Sequence, residues 1–222
     1  MKSYTKHEAP DVLRRWIGSR TPWEDFVADK AAYVPVKEGL ANEQNHLCCY
    51  CESAIKDTNN HIEHYQPRST YQDKIYDYAN LACSCNGGPE DDGHCGHKKG
   101  NKYDDRLFIN PSKENSGSLF NYDIGGGIGP RLGIPENDVK RVNYMIRTLN
   151  LDKSPKLKGM RRDQARSILQ MIDGLLASGL EDQLEEMARF YLVPNDNGKL
   201  HPFYSLSLQL FGEVGDRVIE ER

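Results

Sequence analysis

The chain has 222 residues and a formal net charge of −4. That length suits one ordinary domain or a small catalytic module with helical additions. With 28% charged and 37% hydrophobic residues, the composition is that of a soluble globular chain rather than a disordered one. A free-standing nucleic-acid binder usually carries a basic excess, so such a role here requires local positive charge or a partner that supplies the grip. No apolar run approaches the roughly 20 residues of a membrane helix. The opening Met1-Lys2-Ser3-Tyr4-Thr5-Lys6-His7 has no apolar core behind its lysines, so it is not a signal peptide. Both observations predict a cytoplasmic protein with no membrane partner.

In chain order, Val12, Leu13, Trp16 and Ile17 share a stripe at helical spacing. Thr21-Pro22-Trp23-Glu24 reads as a helix start, with threonine as N-cap, proline at the first helical position and glutamate at the third. A further helix is expected from about Gly39 to the first cysteines. Residues 48–105 are rich in Cys, His, Asn, Asp, Gly and Tyr, and poor in aliphatic side chains, so a metal is expected to organise them. Within them, 86–93 is a loop by composition. Leu107–Pro111 and Ser118–Tyr122 read as short strands, and the glycines of 125–130 as a hairpin turn rather than a phosphate loop, because no nucleotide-binding spacing is present. From about Pro135 the chain reads as helical. The stripes are Val139, Val142, Met145, Ile146 and Leu149; Ile168, Met171, Ile172, Leu175 and Leu176 after a start near Ser154; and Leu184, Met187 and Phe190.

All six cysteines fall between positions 48 and 95. In a cytosolic chain such clustering reads as metal binding before disulfides. Cys48 and Cys51 have the Cys-x-x-Cys bite of a zinc knuckle. A tetrahedral site needs two more ligands, and Cys83, Cys85 and Cys95 compete for them. Between the cysteines stand His61-Ile62-Glu63-His64-Tyr65-Gln66-Pro67-Arg68-Ser69 and Tyr76-Asp77-Tyr78-Ala79-Asn80-Leu81. After them comes Gly96-His97-Lys98-Lys99-Gly100-Asn101.

This ordered set resembles the HNH endonuclease motif. Cys-x-Tyr-Cys-Glu, Ile-Glu-His-Tyr-x-Pro-Arg-Ser, Tyr-x-x-Asn-Leu, Ser-Cys-Asn and Cys-Gly-His-Lys-Lys-Gly-Asn, spanning residues 48–101, look like its PtuB-like branch, from Septu and retron-associated anti-phage systems. Glu63 stands where aspartate is usual, and the loop 86–94 stretches the second cysteine group. The resemblance implies an α+β fold. A small ββα-metal (HNH) core with a zinc knuckle and a following hairpin would occupy 48–134, flanked by N-terminal helices (1–47) and a C-terminal helical region (135–222). It also implies a metal-dependent endonuclease that hydrolyses phosphodiester bonds in DNA or RNA. The implied partners are a PtuA-like SMC/ABC-type ATPase and a retron reverse transcriptase–RNA/DNA assembly. A required partner would answer the acidic net charge.

Phosphodiester hydrolysis needs an attacking water, stabilisation of the phosphate charge and relief of the leaving oxygen. His64 is the candidate base, since imidazole accepts a proton near neutral pH. Glu63, facing the other way on a strand, inherits the family's role at the catalytic Mg²⁺ or Mn²⁺, with His97 as second ligand and Asn101 as its rival. Asn80, the motif's middle asparagine, would orient the base or support the loop. For structural Zn²⁺ the choice is Cys48, Cys51, Cys85 and Cys95. Cys83 and Cys85 are too close in sequence for easy joint ligation, and Ser84-Cys85-Asn86 looks like the family's Ser-Cys-Asn. Arg68, Lys98 and Lys99 are candidate phosphate contacts, and Lys153, Lys156, Lys158, Arg161, Arg162 and Arg166 form the most basic stretch. His61 is assigned a supporting role, and Tyr71, Tyr76 and Tyr78 a packing role. The alternative is a zinc-knuckle module that binds nucleic acid or a partner without catalysis.

Overall fold

The computed structural model describes residues 1–56, 58–88 and 92–221. It is a mixed structure of helices and two small antiparallel sheets. The N-terminal helices are α1 (Asp11–Arg14), α2 (Trp23–Ala28) and α3 (Lys30–Glu43). α2 starts one residue later than its sequence signals suggest: Pro22 is the N-cap, and no side chain caps the helix. α3 begins nine residues before the expected Gly39. Asp29 caps it by accepting from the Ala32 amide, and the helix runs through Pro35. An interior proline costs a backbone hydrogen bond. Here the burial of Ala32, Val36, Leu40 and Ala41 along one side outweighs that loss.

β1 (Asn60–His64) pairs antiparallel with β2 (Leu81–Cys85), placing Glu63 opposite Ala82 and His64 opposite Leu81. Every residue of β2 is buried, because both faces of the ribbon are covered. Leu81 and Cys83 join Phe26, Val36 and Leu40 of the N-terminal helices, while Ala82 joins a second cluster with Tyr50, Tyr65 and Phe108. The short helix α4 (Cys95–Lys99) follows and packs on β2. Strand, strand and helix thus come in ββα order around the motif residues.

β3 (Phe120–Tyr122) and β4 (Ile128–Pro130) form the expected hairpin. The amides of Gly125 and Gly127 donate to the Asp123 carboxylate, so the glycine loop satisfies itself instead of cradling a phosphate. Gly126 has φ +85°, and a Cβ there would lie 2.0 Å from the Lys158 carbonyl, so only glycine lets the turn dock this closely. Leu107–Pro111 is not a strand. It is an irregular turn held by the amides of Leu107 and Phe108 on the Asp104 carbonyl. Its apolar run reflects the burial of Phe108 and Ile109 in the core, not a pleat.

The tail comprises α5 (Glu136–Thr148), α6 (Pro155–Ala177), α7 (Leu184–Leu192), α8 (Tyr204–Phe211) and α9 (Glu213–Glu220), the last two not foreseen from the sequence. Ser154 caps α6 through the Leu157 amide, and Pro155 opens the helix. The cluster that contains Cys48, Cys85 and Cys95 also contains Val142, Met145, Leu149, Leu157 and Leu206, so the tail is part of the packing around the cysteines. Glu52 adds a polar tie, accepting from the Ser205 amide and hydroxyl at 2.7 Å each. Among the described residues no helix is long and apolar enough to cross a membrane.

Candidate active site

Cys48, Cys51, Cys85 and Cys95 are buried, with their sulfurs all within 4.8 Å of one another. The Cys48–Cys95 and Cys51–Cys85 sulfur separations are 3.8 and 3.7 Å. Four sulfurs at tetrahedral Zn–S distances would stand about 3.8 Å apart, so this group could hold a metal such as zinc. Cys83 is excluded. It lies in the N-terminal cluster, where burial pushes its thiol up to about 12. Cys49 is likewise buried and its thiol is pushed up.

Beside this group, one cleft is lined by His61, Glu63, His64, Arg68, Gly96, His97, Lys99 and Asn101, with Trp23 at its wall. Consecutive strand residues diverge, and their contacts show it. His64 sits on the side of the N-terminal helices. Its Nε2–H donates to the Ile75 carbonyl (2.9 Å), and the Trp23 ring stands edge-on with centroids 4.4 Å apart. That bond fixes the tautomer, so Nδ1 carries the lone pair. Burial lowers its pKa to about 4, and the imidazole is neutral at pH 7. Glu63 sits on the α4 side. Its Oε1 accepts from Tyr50 Oη (3.0 Å) and pairs with Lys99 Nζ (2.9 Å), while Oε2 lies 3.5 Å from His61 Nε2. Burial works to raise the Glu63 pKa, but His61 and Lys99 outweigh it and hold the carboxylate ionised.

His61 and His97 stack, with ring centroids 4.4 Å apart and planes tilted by 10°. Both are anchored by Asn86. Its side-chain oxygen takes His61 Nδ1 (2.9 Å) and its backbone carbonyl takes His97 Nδ1 (3.1 Å). His97 is exposed, and burial followed by the neighbouring His61 lowers its pKa. Gly96 abuts the cluster: a Cβ there would stand 2.5 Å from Glu63 Oε2 and 2.7 Å from His61 Nε2.

Asn80 does not line the cleft. Its Oδ1 accepts from the Gln66 amide, and its Nδ2 donates to the Gln66 and Lys74 carbonyls. It braces the loop that carries the Ile75 carbonyl to His64. Arg68 lies over the Trp23 ring and pairs with exposed Glu24 at 3.3 Å. Lys98 is exposed. Lys99 is buried, and its ammonium also donates to the His64 carbonyl at 2.8 Å, so its charge is directed into the site rather than outward. In the basic stretch, Lys153, Lys156, Arg162 and Arg166 are exposed, but Arg161 is 1% exposed and donates to the Leu151 carbonyl. The tyrosine hydroxyls are tied down, Tyr71 to Asp105, Tyr76 to the Thr21 carbonyl and Tyr78 to Glu43.

No protein-family model matches the chain. A protein of Vibrio cholerae serotype O1 biovar El Tor, named "Retron Vc95 putative HNH endonuclease", is 29% identical over 174 residues, 75% of this chain and 83% of that protein. This chain is similar to HNH, PtuB-like defence nucleases. The Septu protein PtuB of Bacillus thuringiensis is 24% identical over 170 residues, 74% of this chain and 56% of that protein, so the match spans little more than half of PtuB. For a PtuB-like chain, several neighbours of the motif residues were not read from the sequence. Trp23 and Tyr50 reach His64 and Glu63 through tertiary packing that no spacing announces. Gly96 had a signal: three residues before Lys99, which was read as a phosphate contact, it shares the side of α4 that meets Glu63.

Proposed function

We propose that this chain is a metal-dependent HNH endonuclease that hydrolyses phosphodiester bonds in DNA or RNA. In this reading it is the nuclease subunit of an anti-phage defence complex with a PtuA-like SMC/ABC-type ATPase. Residues 48–134 would carry the chemistry. The observation that carries the reading is His64: a buried, neutral imidazole with Nε2–H committed to Ile75 and Nδ1 unprotonated, in one cleft with Glu63.

Nδ1 of His64 takes the proton of a water as that water attacks phosphorus. The bond to Ile75 holds the ring in place, and Asn80 positions that carbonyl through the loop. Glu63 and His97 offer an oxygen and a nitrogen to a divalent cation such as Mg²⁺ or Mn²⁺, and the missing Cβ at Gly96 keeps the space beside Glu63 Oε2 open. When bound, that cation supplies charge stabilisation at the phosphate and the leaving oxygen. Arg68 can exchange its exposed partner Glu24 for a phosphate, and Lys98 adds positive charge at the exposed end of α4. The four cysteines would hold structural Zn²⁺ and fix α4 against the strands. The relatives' Septu and retron names support a defence complex with a nucleic-acid substrate.

The test is cleavage of plasmid and of total tRNA by the chain with its ATPase partner, wild type against His64→Ala. Loss of about 100- to 10 000-fold is expected from removal of a general base. Equal cutting by both proteins would overturn the assignment. No cutting by wild type in any divalent metal would favour a binding module instead.

A further inference from the structure

We propose that His61 is a third protein ligand of the cation at Glu63 and His97, and that the resulting two-imidazole, one-carboxylate set takes a first-row transition ion in preference to Mg²⁺. This deepens the nuclease reading of the cleft and rests on it.

Three observations converge. The first is Asn86. A metal-ligating histidine characteristically donates its other ring N–H to a fixed oxygen, which sets the tautomer and aims the free nitrogen. Here one residue does so twice, with its side-chain oxygen for His61 Nδ1 and its backbone carbonyl for His97 Nδ1. Nε2 is thereby the remaining nitrogen on each of two neighbouring parallel rings; that of His61 faces Glu63 Oε2, and a cation bound there would displace the proton the two share. The second is the division of labour in Glu63. Oε1 is taken by Tyr50 and Lys99, whereas Oε2 is 3.5 Å from His61 Nε2. The third is Gly96, whose bare Cα faces those same two atoms. A methyl there would displace both donors at once.

The chemistry of the set decides the ion. Mg²⁺ favours oxygen ligands, usually carboxylate and water, whereas imidazole nitrogen suits transition ions. Glu63 is the one carboxylate in the group, and the Lys99 ammonium at 2.9 Å already offsets its charge. Mg²⁺ therefore gains little here, while a transition ion gains two nitrogens. Parallel lone pairs do not meet at a point, so ligation requires the rings to pivot about their Asn86 bonds. His97 is exposed and has room to do so.

The experiment uses the full chain with its cysteine group loaded with zinc. Mn²⁺ and Mg²⁺ are titrated separately by calorimetry into wild type, His61→Ala and His61→Gln, and nitrogen coupling to bound Mn²⁺ is read by pulsed EPR. Zinc content and circular dichroism confirm that each variant is folded. Wild type should bind one Mn²⁺ at least about ten-fold tighter than Mg²⁺, with coupling to two imidazole nitrogens. Both variants should lose about ten-fold or more in Mn²⁺ affinity and one nitrogen coupling, with Mg²⁺ binding nearly unchanged. Mn²⁺ binding and coupling unaltered by the substitutions would overturn the proposal, as would Mg²⁺ binding as tightly as Mn²⁺. These readouts do not depend on turnover. A chain that binds Mn²⁺ as expected but cuts nothing would refute the nuclease reading alone, and one that cuts in limiting Mn²⁺ with His61→Ala unaffected would refute this proposal alone.

Discussion

The four-cysteine group and the histidine–carboxylate cleft lie side by side on one ribbon, yet they are built oppositely. The first is closed, with four buried sulfurs within 4.8 Å of one another and two of the separations at 3.7 and 3.8 Å. The second is open, with His97 exposed and donors from one strand and one helix end that do not yet converge. Structural metal sites are characteristically saturated by protein, while catalytic ones leave positions for water and substrate. Each site is also propped by the part of the chain nearest to it. The tail packs around the cysteines, and the N-terminal helices bring Trp23 to His64.

Attacks on the closed site should have the largest effects. Cys51→Ser should abolish zinc binding and cooperative folding, checked by elemental analysis and thermal unfolding. Truncation after residue 134 should do the same, because it strips Val142, Met145, Leu149 and Leu206 from the cluster around the cysteines. Retention of zinc by the truncated chain would show the two regions to be independent. Gly96→Ala should separate the sites, with zinc content kept and nucleic-acid cleavage lost, since its methyl would sit 2.5 Å from Glu63 Oε2. A smaller effect concerns His64. Its folded pKa, about 4, lies below the ordinary 6.5. The folded state therefore binds fewer protons, and this contribution to stability is complete above pH 6.5 and is lost as pH falls toward 4. The loss is roughly 1.4 kcal/mol per pH unit, and His64→Gln should flatten that part of the urea-unfolding profile. Smallest is Cys83→Ala, expected to cost about 1 kcal/mol and leave zinc in place, whereas Cys85→Ala should lose it.

The cysteine set was legible because the Cys-x-x-Cys and Ser-Cys-Asn signals are local; the separation of Cys83 from Cys85 was not, because residues two apart on a strand share a face, and it is only at the end of β2 that Cys85 joins the other cluster. The ββα order around Glu63, His64 and Asn80 was legible, like the cysteine set, from local signals. Local signals misled where burial overrode them. Pro35 disguised the true start of α3, and the apolar run 107–111 mimicked a strand while serving the core. Lys99 reads as a surface cation in the sequence, yet α4 docks with Lys99 inward, on Glu63 and the His64 carbonyl. Asn86 acts through its backbone as much as its side chain, and a backbone role leaves no mark on residue identity.

The stretch between Cys85 and Cys95 is gathered at its base by the four-sulfur group, to which both cysteines belong, and by the His94 amide on the Gly87 carbonyl (3.1 Å). With both ends stapled, lengthening the chain between them adds a closure penalty that grows only with the logarithm of its length. This makes it a natural insertion point. A reporter peptide or fluorophore inserted between Gly87 and His94 would leave the residues that line the cleft in their registration, giving an optical handle on cation and nucleic-acid binding from within the intact protein.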